Sequence, residues 1–281
     1  MIHSEMSWQT QDKKVELYAQ IWEPETSAKA AVCLVHGLGE HSGRYAHVAQ
    51  FLTQHGCAVL AVDLHGQGKT TGQRGHVHSS QILLEDIDRL LQEADRRHPG
   101  KPRFLYGHSL GGLLVLYYAL QRKPQLAGVI STSPGLRSPV LEQKAKITFA
   151  KILGYLLPTL SIPVGLDATS ISRDPGVVQA YQNDPLVHDV VTLATTKYTV
   201  QIVPWTWEHA AEFNLPLLLM HGTGDKLTYY TGSQDFSRLV PGDCTLKLWD
   251  GLFHELHNEP EKNQVLDFMT DWIDAKMVGA G

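Results

Sequence analysis

Three side chains on separate stretches of the 281-residue chain have the types and settings that acyl transfer needs: Ser109, Asp225 and His254. A serine hydroxyl attacks a carbonyl only with help. An imidazole must take its proton, a carboxylate must hold that imidazole in the right tautomer, and backbone N–H groups must meet the oxyanion. Ser109 lies in Phe104-Leu105-Tyr106-Gly107-His108-Ser109-Leu110-Gly111-Gly112, where an apolar run ends in a Gly-x-Ser-x-Gly pattern and passes into the apolar stretch Leu113 to Leu120. Strand, tight turn and helix in that order lift a serine hydroxyl above the strand end. A Cβ at Gly107 or Gly111 would collide with the neighbouring strand or helix. The helix aims its N-terminal amides at any negative charge that forms there. The pentapeptide alone matches many ordinary turns; the flanking strand and helix and the extra Gly112 set this one apart.

The supporting groups follow other apolar runs. His221-Gly222-Thr223-Gly224-Asp225-Lys226 comes directly after Leu217-Leu218-Leu219-Met220, which places Asp225 on a loop at a strand end. A turn aspartate beside glycine is also common, but the order Ser, Asp, His along the chain favours a catalytic carboxylate. Asp250-Gly251-Leu252-Phe253-His254-Glu255-Leu256-His257 follows the last strand-like run and offers two bases. Its position nearer the strand favours His254, with His257 in reserve. For the oxyanion, the N–H of Leu110, next after the nucleophile, pairs with the N–H of Leu38 in His36-Gly37-Leu38-Gly39.

These groups must be brought to one edge by the surrounding elements. Ala30 to Val35 and Ala58 to Val62 are continuous apolar runs, the pattern of strands buried on both faces. Val15 to Trp22 alternates, as a half-exposed strand near a sheet edge does. Ser79 or Ser80 caps a helix carrying Ile82, Leu83, Ile87, Leu90 and Leu91, and Pro99-Gly100 ends it. Alternating strands and helices predict an α/β fold with a mostly parallel central sheet of about eight strands, helices on both faces and an inserted cap. The alternation fails between about Leu136 and Glu212, a stretch punctuated by six prolines from Pro139 to Pro204. The expected organisation is a core of residues 1–135 and 212–281, with residues 136–211 as the cap. Within the cap, Ile147 to Leu157 has apolar residues at helical spacing with Lys144, Lys146 and Lys151 nearby. Phe149, Ile152, Leu156, Val187 and Trp205 are the expected apolar lining of an acyl tunnel, and the same stretch is expected to rest transiently on a membrane or micelle surface.

Composition removes other classes. A net charge of −5 and a pI near 6.3 give no electrostatic footprint for nucleic acid. Cys33, Cys57 and Cys244 have no regular spacing, which argues against a disulfide framework and fits a reducing compartment. The first fourteen residues lack the apolar core of a signal peptide, and no apolar run approaches a membrane span. The expectation is a cytoplasmic protein, or one peripheral to a membrane. Gly66-Gln67-Gly68-Lys69-Thr70 resembles a phosphate loop, but Asp63 stands where that loop needs glycine. His65, His76 and His78 lack the ligand spacing of a metal site. No metal or cofactor is expected. Asp63 reads as a structural carboxylate bonding loop amides.

His36-Gly37-Leu38-Gly39-Glu40-His41-Ser42-Gly43-Arg44-Tyr45, Gly107-His108-Ser109-Leu110-Gly111-Gly112, Gly222-Thr223-Gly224-Asp225-Lys226-Leu227 and Gly251-Leu252-Phe253-His254 resemble the signature blocks of the monoacylglycerol lipase and lysophospholipase group of α/β-hydrolases. The resemblance runs from about Val15 to the C-terminal helix and includes Asn183-Asp184-Pro185-Leu186. It implies Ser109, Asp225 and His254 as the triad and Leu38 and Leu110 as oxyanion donors. It also implies metal-free and cofactor-free hydrolysis of a small lipid ester, a monoacylglycerol first among them. Asp63 to Thr70 departs from the group's usual Asp-x-x-Gly-His-Gly-x-Ser at Gln67 and Thr70. Lysophospholipid hydrolysis, general carboxylesterase action and acyl transfer to an alcohol use the same acyl-enzyme. A binding module without catalysis would usually lack one triad member, and all three are present.

Overall fold

The computed structural model of the protein describes residues 1–10 and 14–278, the side chains of residues 144–146, 149–151 and 278 excepted. β1 (Ile2–Gln9) and β2 (Glu16–Glu23) form an antiparallel pair. β3 (Ala30–Val35), α1 (Ala46–Gln54), β4 (Cys57–Val62), α2 (Ser80–Arg97), β5 (Arg103–His108), α3 (Leu110–Arg122) and β6 (Gly128–Thr132) then alternate. A segment of different character follows, with α4 (Pro139–Glu142), α5 (Lys144–Leu156), β7 (Ser161–Pro163), α6 (Pro175–Asn183), β8 (Val190–Thr192) and α7 (Leu193–Glu208). β9 (Leu217–Gly222), α8 (Tyr230–Leu239), β10 (Cys244–Trp249) and α9 (Lys262–Val278) restore the alternation.

The main sheet has eight strands in the order β1-β2-β4-β3-β5-β6-β9-β10. Only the β1–β2 and β2–β4 pairings are antiparallel. Every residue of β3, β4, β6 and β9 is buried, as continuous apolar runs require of strands covered on both faces. One face packs against the apolar stripes of α2 and α3, with Ile87, Leu90 and Leu114 among its buried residues. The other packs against α1 and α9, with Leu52, Val265 and Met269 in its core. The polar N-terminal stretch hides a strand: β1 pairs along its whole length with β2, and Met6 and Trp8 pack onto the core.

The insertion between β6 and β9 carries its own two-stranded antiparallel ladder, β7 with β8, and packs α5 on α7. It is tied to the core by backbone. His188 N–H donates to Gly39 O at 3.0 Å, and Thr192 N–H donates to Gly75 O at 3.0 Å. His41 Nε2 lies 2.9 Å from Asp184 Oδ2, which joins the loop after β3 to the end of α6. No described helix is long and apolar enough to cross a membrane. Cys33 and Cys57 are buried and Cys244 is half-buried, all three as free thiols.

Candidate active site

Ser109 stands between β5 and α3 with φ 55° and ψ −115°, a left-handed value that a non-glycine residue adopts at a cost. The turn is closed by Ser109 N–H to Thr132 O at 2.9 Å and by Leu113 N–H to Ser109 O at 3.0 Å. Its glycines are steric requirements. A Cβ on Gly107 would overlap the Gly111 carbonyl oxygen, and one on Gly111 would overlap the carbonyl oxygens of Val35 and His36.

Three strand ends converge on this hydroxyl. His254, after β10, places Nε2 at 2.8 Å from Ser109 Oγ. Its Nδ1 lies 2.7 Å from Oδ2 of Asp225, on the loop after β9. The carboxylate next to Nδ1 fixes the proton there, so Nε2 is free to accept from the serine. Ser133 Oγ donates to the His254 carbonyl at 2.7 Å and pins its backbone. Asp225 Oδ1 accepts the N–H groups of Leu227 and Thr228 at 2.8 and 3.0 Å. Burial resists ionisation of Asp225, but the His254 ring and the hydrogen bonds of His221 and His254 outweigh it and hold the carboxyl far below its usual range. Burial likewise opposes a charge on His254; the Asp225 carboxylate prevails and lifts its pKa above the ordinary imidazole value.

His257, the reserve base, does not reach the serine. Its ring stacks on Tyr45 at 4.6 Å and meets His108 edge-on at 4.8 Å, and neither ring nitrogen has a hydrogen-bond partner among the described residues. Burial first, and then the neighbouring imidazoles, keep His108 and His257 well below the ordinary value, hence neutral. Leu38 and Leu110 both line the cavity beside Ser109, and neither amide donates to another group among the described residues. The remaining loop groups are structural. Asp63 accepts the amides of Ser42 and Lys69 at 2.8 and 2.7 Å. His65 pairs with Asp86 at 2.7 Å, and His76 faces His78 at 3.1 Å.

A cavity of about 260 Å³ opens over Ser109. Its walls come from the insertion and the core together, with Leu141, Ile162, Val164, Leu166, Val200 and Val203 among them. Thr196 and Thr199 also face it, but their hydroxyls bond the carbonyls of Thr192 and Thr195 one turn back, so the wall they make is effectively apolar. The end nearest the serine is polar. Arg44 bridges Glu40, at 2.5 Å, and Glu255, at 2.7 Å to each oxygen. Glu40 also accepts Gly37 N–H at 2.6 Å and Tyr45 O–H at 2.7 Å. Burial works against its charge, but the Arg44 guanidinium keeps it ionised below the usual range.

The expected tunnel residues lie elsewhere. Ile152 and Leu156 are 57% and 72% exposed, on the outer side of α5. Trp205 packs into the core, stacked on His209 at 3.9 Å and edge-on to Tyr117 at 5.0 Å. Val187 sits in a turn, its N–H bonded to Asp184 O at 3.1 Å. None of the four lines the cavity. The Phe149 side chain lies outside the described residues. Sequence reasoning also missed Glu40, Arg44 and Glu255 as neighbours of the serine, and His221 as a partner of Asp225. The signal for His221 was its place in the last strand before the Asp225 loop.

A serine on a strained strand-to-helix elbow, joined through histidine to a buried carboxylate at the carboxyl edge of a mostly parallel sheet, defines a serine-type α/β-hydrolase. Residues 26–261 match the family described as serine aminopeptidase, S33 (Hydrolase_4), and the chain belongs to that family and is a serine hydrolase of its monoacylglycerol-lipase-like group. It is 37% identical to a monoacylglycerol lipase of Mycolicibacterium smegmatis, over 92% of this chain and 93% of that one. It is 38% identical over 96% of its length to an uncharacterised abhydrolase domain-containing protein of Dictyostelium discoideum, and spans 29% of that longer chain. Among solved structures, a monoacylglycerol lipase of Paleococcus ferrophilus superposes with a TM-score of 0.86 at 34% identity, covering 93% of this chain and 99% of that one.

Proposed function

We propose that the protein is a serine ester hydrolase that cleaves monoacylglycerols through an acyl-enzyme. Ser109 Oγ attacks the ester carbonyl while His254 Nε2 takes its proton, and Asp225 stabilises the imidazolium. The amides of Leu38 and Leu110 hold the oxyanion; one such donor contributes about 3 kcal/mol to the transition state. His254 then gives its proton to the departing glycerol oxygen. In the second half it draws a proton from water, which attacks the acyl carbonyl, and returns that proton to Ser109 Oγ as the acyl–oxygen bond to the serine breaks and the fatty acid leaves.

The observation that carries this reading is the cavity over Ser109, lined mostly by apolar side chains and with Glu40 and Glu255 among its few charged ones. An acyl chain fits the apolar part, and an alcohol head group fits the Glu40–Arg44–Glu255 end. That end holds two carboxylates against one guanidinium, which leaves one negative charge. A phosphate head group would add another anion beside it, which favours glycerol esters over lysophospholipids. An aminopeptidase would need an unengaged carboxylate for its substrate's ammonium, and Arg44 already bridges both. The names of the Mycolicibacterium and Paleococcus relatives support the same substrate class.

Residues 136–211 act in this reading as a cap. Ile152, Tyr155, Leu156, Leu157 and Leu160 are all about half or more exposed at its outer edge. From residue 143 to 166 the sequence has lysines but no acidic residue. Apolar side chains with cationic neighbours fit a lipid surface, from which a sparingly soluble substrate enters. The test is a panel of monoacylglycerols, lysophospholipids and short p-nitrophenyl esters compared by kcat/KM. Monoacylglycerols are expected to lead the lysophospholipids at equal chain length; the opposite order would reject the head-group assignment.

A further inference from the structure

His221 is completely buried and belongs to no step above. It lies near the end of β9, four residues before Asp225, and its ring shares that carboxylate with His254. Nε2 is 3.1 Å from Asp225 Oδ2 and 3.2 Å from the Thr228 carbonyl oxygen. A carbonyl only accepts, and an ionised carboxylate only accepts, so the ring proton must sit on Nε2. Nδ1 lies 2.8 Å from Ser233 Oγ on α8, a hydroxyl able to donate to it. The triad therefore continues inward as Ser109, His254, Asp225, His221 and Ser233, with one carboxylate oxygen shared between two imidazoles.

We propose that His221 is a positioning residue for the hydrolytic reaction: it holds Asp225 Oδ2 in the plane that His254 needs and draws off part of its charge. The inference rests on the triad reading given above. A fully dedicated Asp225 would bind the His254 imidazolium more strongly and keep that ring protonated to higher pH. Sharing Oδ2 with the His221 N–H moderates that pull, so His254 is a free base nearer neutrality. The sign is the same whether His221 is neutral or charged, since either form withdraws negative charge from Asp225.

Few other charges bear on this pair. Asp225 faces His254, His221 and the Thr228 hydroxyl, the last at 2.9 Å. His254 faces Asp225, the carboxylates of Glu255 and Glu40, and the neutral His108 ring at 4.8 Å. The positive charge of Arg44 is engaged by Glu40 and Glu255, and His257 stands behind His108. A substitution at His221 leaves all of these in place.

The geometry separates two isosteric replacements. The amide of glutamine reaches the Nε2 position and still donates to Asp225; the amide of asparagine reaches only toward Ser233. His221→Asn is expected to lower kcat roughly 5- to 20-fold with KM for a p-nitrophenyl ester little changed. It is also expected to move the acid limb of kcat/KM to higher pH, whereas His221→Gln stays near wild type on both counts. Equal behaviour of the two variants, or a shift of the limb to lower pH, overturns the proposal. If His221→Asn does not fold, ¹⁵N NMR of histidine-labelled wild-type protein decides: His221 protonated at Nε2 is the expected tautomer, and protonation at Nδ1 alone contradicts it. Ser109→Ala, assayed beside these, tests the triad reading separately, because it removes turnover whatever His221 does.

Discussion

In the proposed mechanism the hydroxyl of Ser109 is useful only while His254 is neutral, and Asp225 sets when that is. Burial alone would lower the His254 pKa; the carboxylate 2.7 Å away overrides it and raises it. Below that raised value the ring is protonated and no base remains. The acid limb of kcat/KM on a p-nitrophenyl ester should therefore have its midpoint above the ordinary imidazole value of about 6.5. A midpoint below about 6 would mean that Asp225 does not govern the base. At this scale the sequence was most readable where chemistry and strand ends coincide. Ser109, Asp225 and His254 each follow a strand, and their side chains lie within hydrogen-bonding distance of one another in the order Ser–His–Asp. The pairing of Arg44 with Glu255 was not readable, because the two meet across 211 positions of the chain and nothing in the local pattern around either one points to the other.

Elements explain why those side chains meet. Each parallel strand delivers its following loop to the same edge, so Leu38, Ser109, Asp225 and His254 arrive from β3, β5, β9 and β10. A tight junction forms at Gly111, which α3 presents to the end of β3. Gly111→Ala would force its methyl into the Val35 carbonyl, and should cost roughly 3 kcal/mol or more. A fall in Tm of roughly 5–10 °C with most esterase activity lost is the expected outcome; an unchanged Tm would show that the elbow has room to relax. Buried strands and amphipathic helices of the core were legible from period and run length. The insertion was legible only as an interruption. Helical spacing in Ile147 to Leu157 identifies an apolar stripe but not what it faces, and Ile152 and Leu156 turn outward. The lining comes instead from short stretches with weak patterns, such as β7 and the threonine-bearing face of α7.

At the scale of the molecule, a negatively charged protein exposes, in the proposed cap, apolar side chains within a stretch of sequence that has lysines and no acidic residue. Leu156 is exposed and away from the cavity. Leu156→Ser should weaken binding to vesicles and slow hydrolysis of vesicle-borne monoacylglycerol, while turnover of a water-soluble p-nitrophenyl ester is unchanged. Equal losses on both substrates would place Leu156 in the catalytic path instead. The proposed mechanism depends on one nucleophile. A fluorophosphonate probe followed by peptide mass spectrometry tests it most directly: one adduct, on Ser109, lost in His254→Ala, is the predicted result. A folded protein that takes no label, or takes it at another serine, would contradict it.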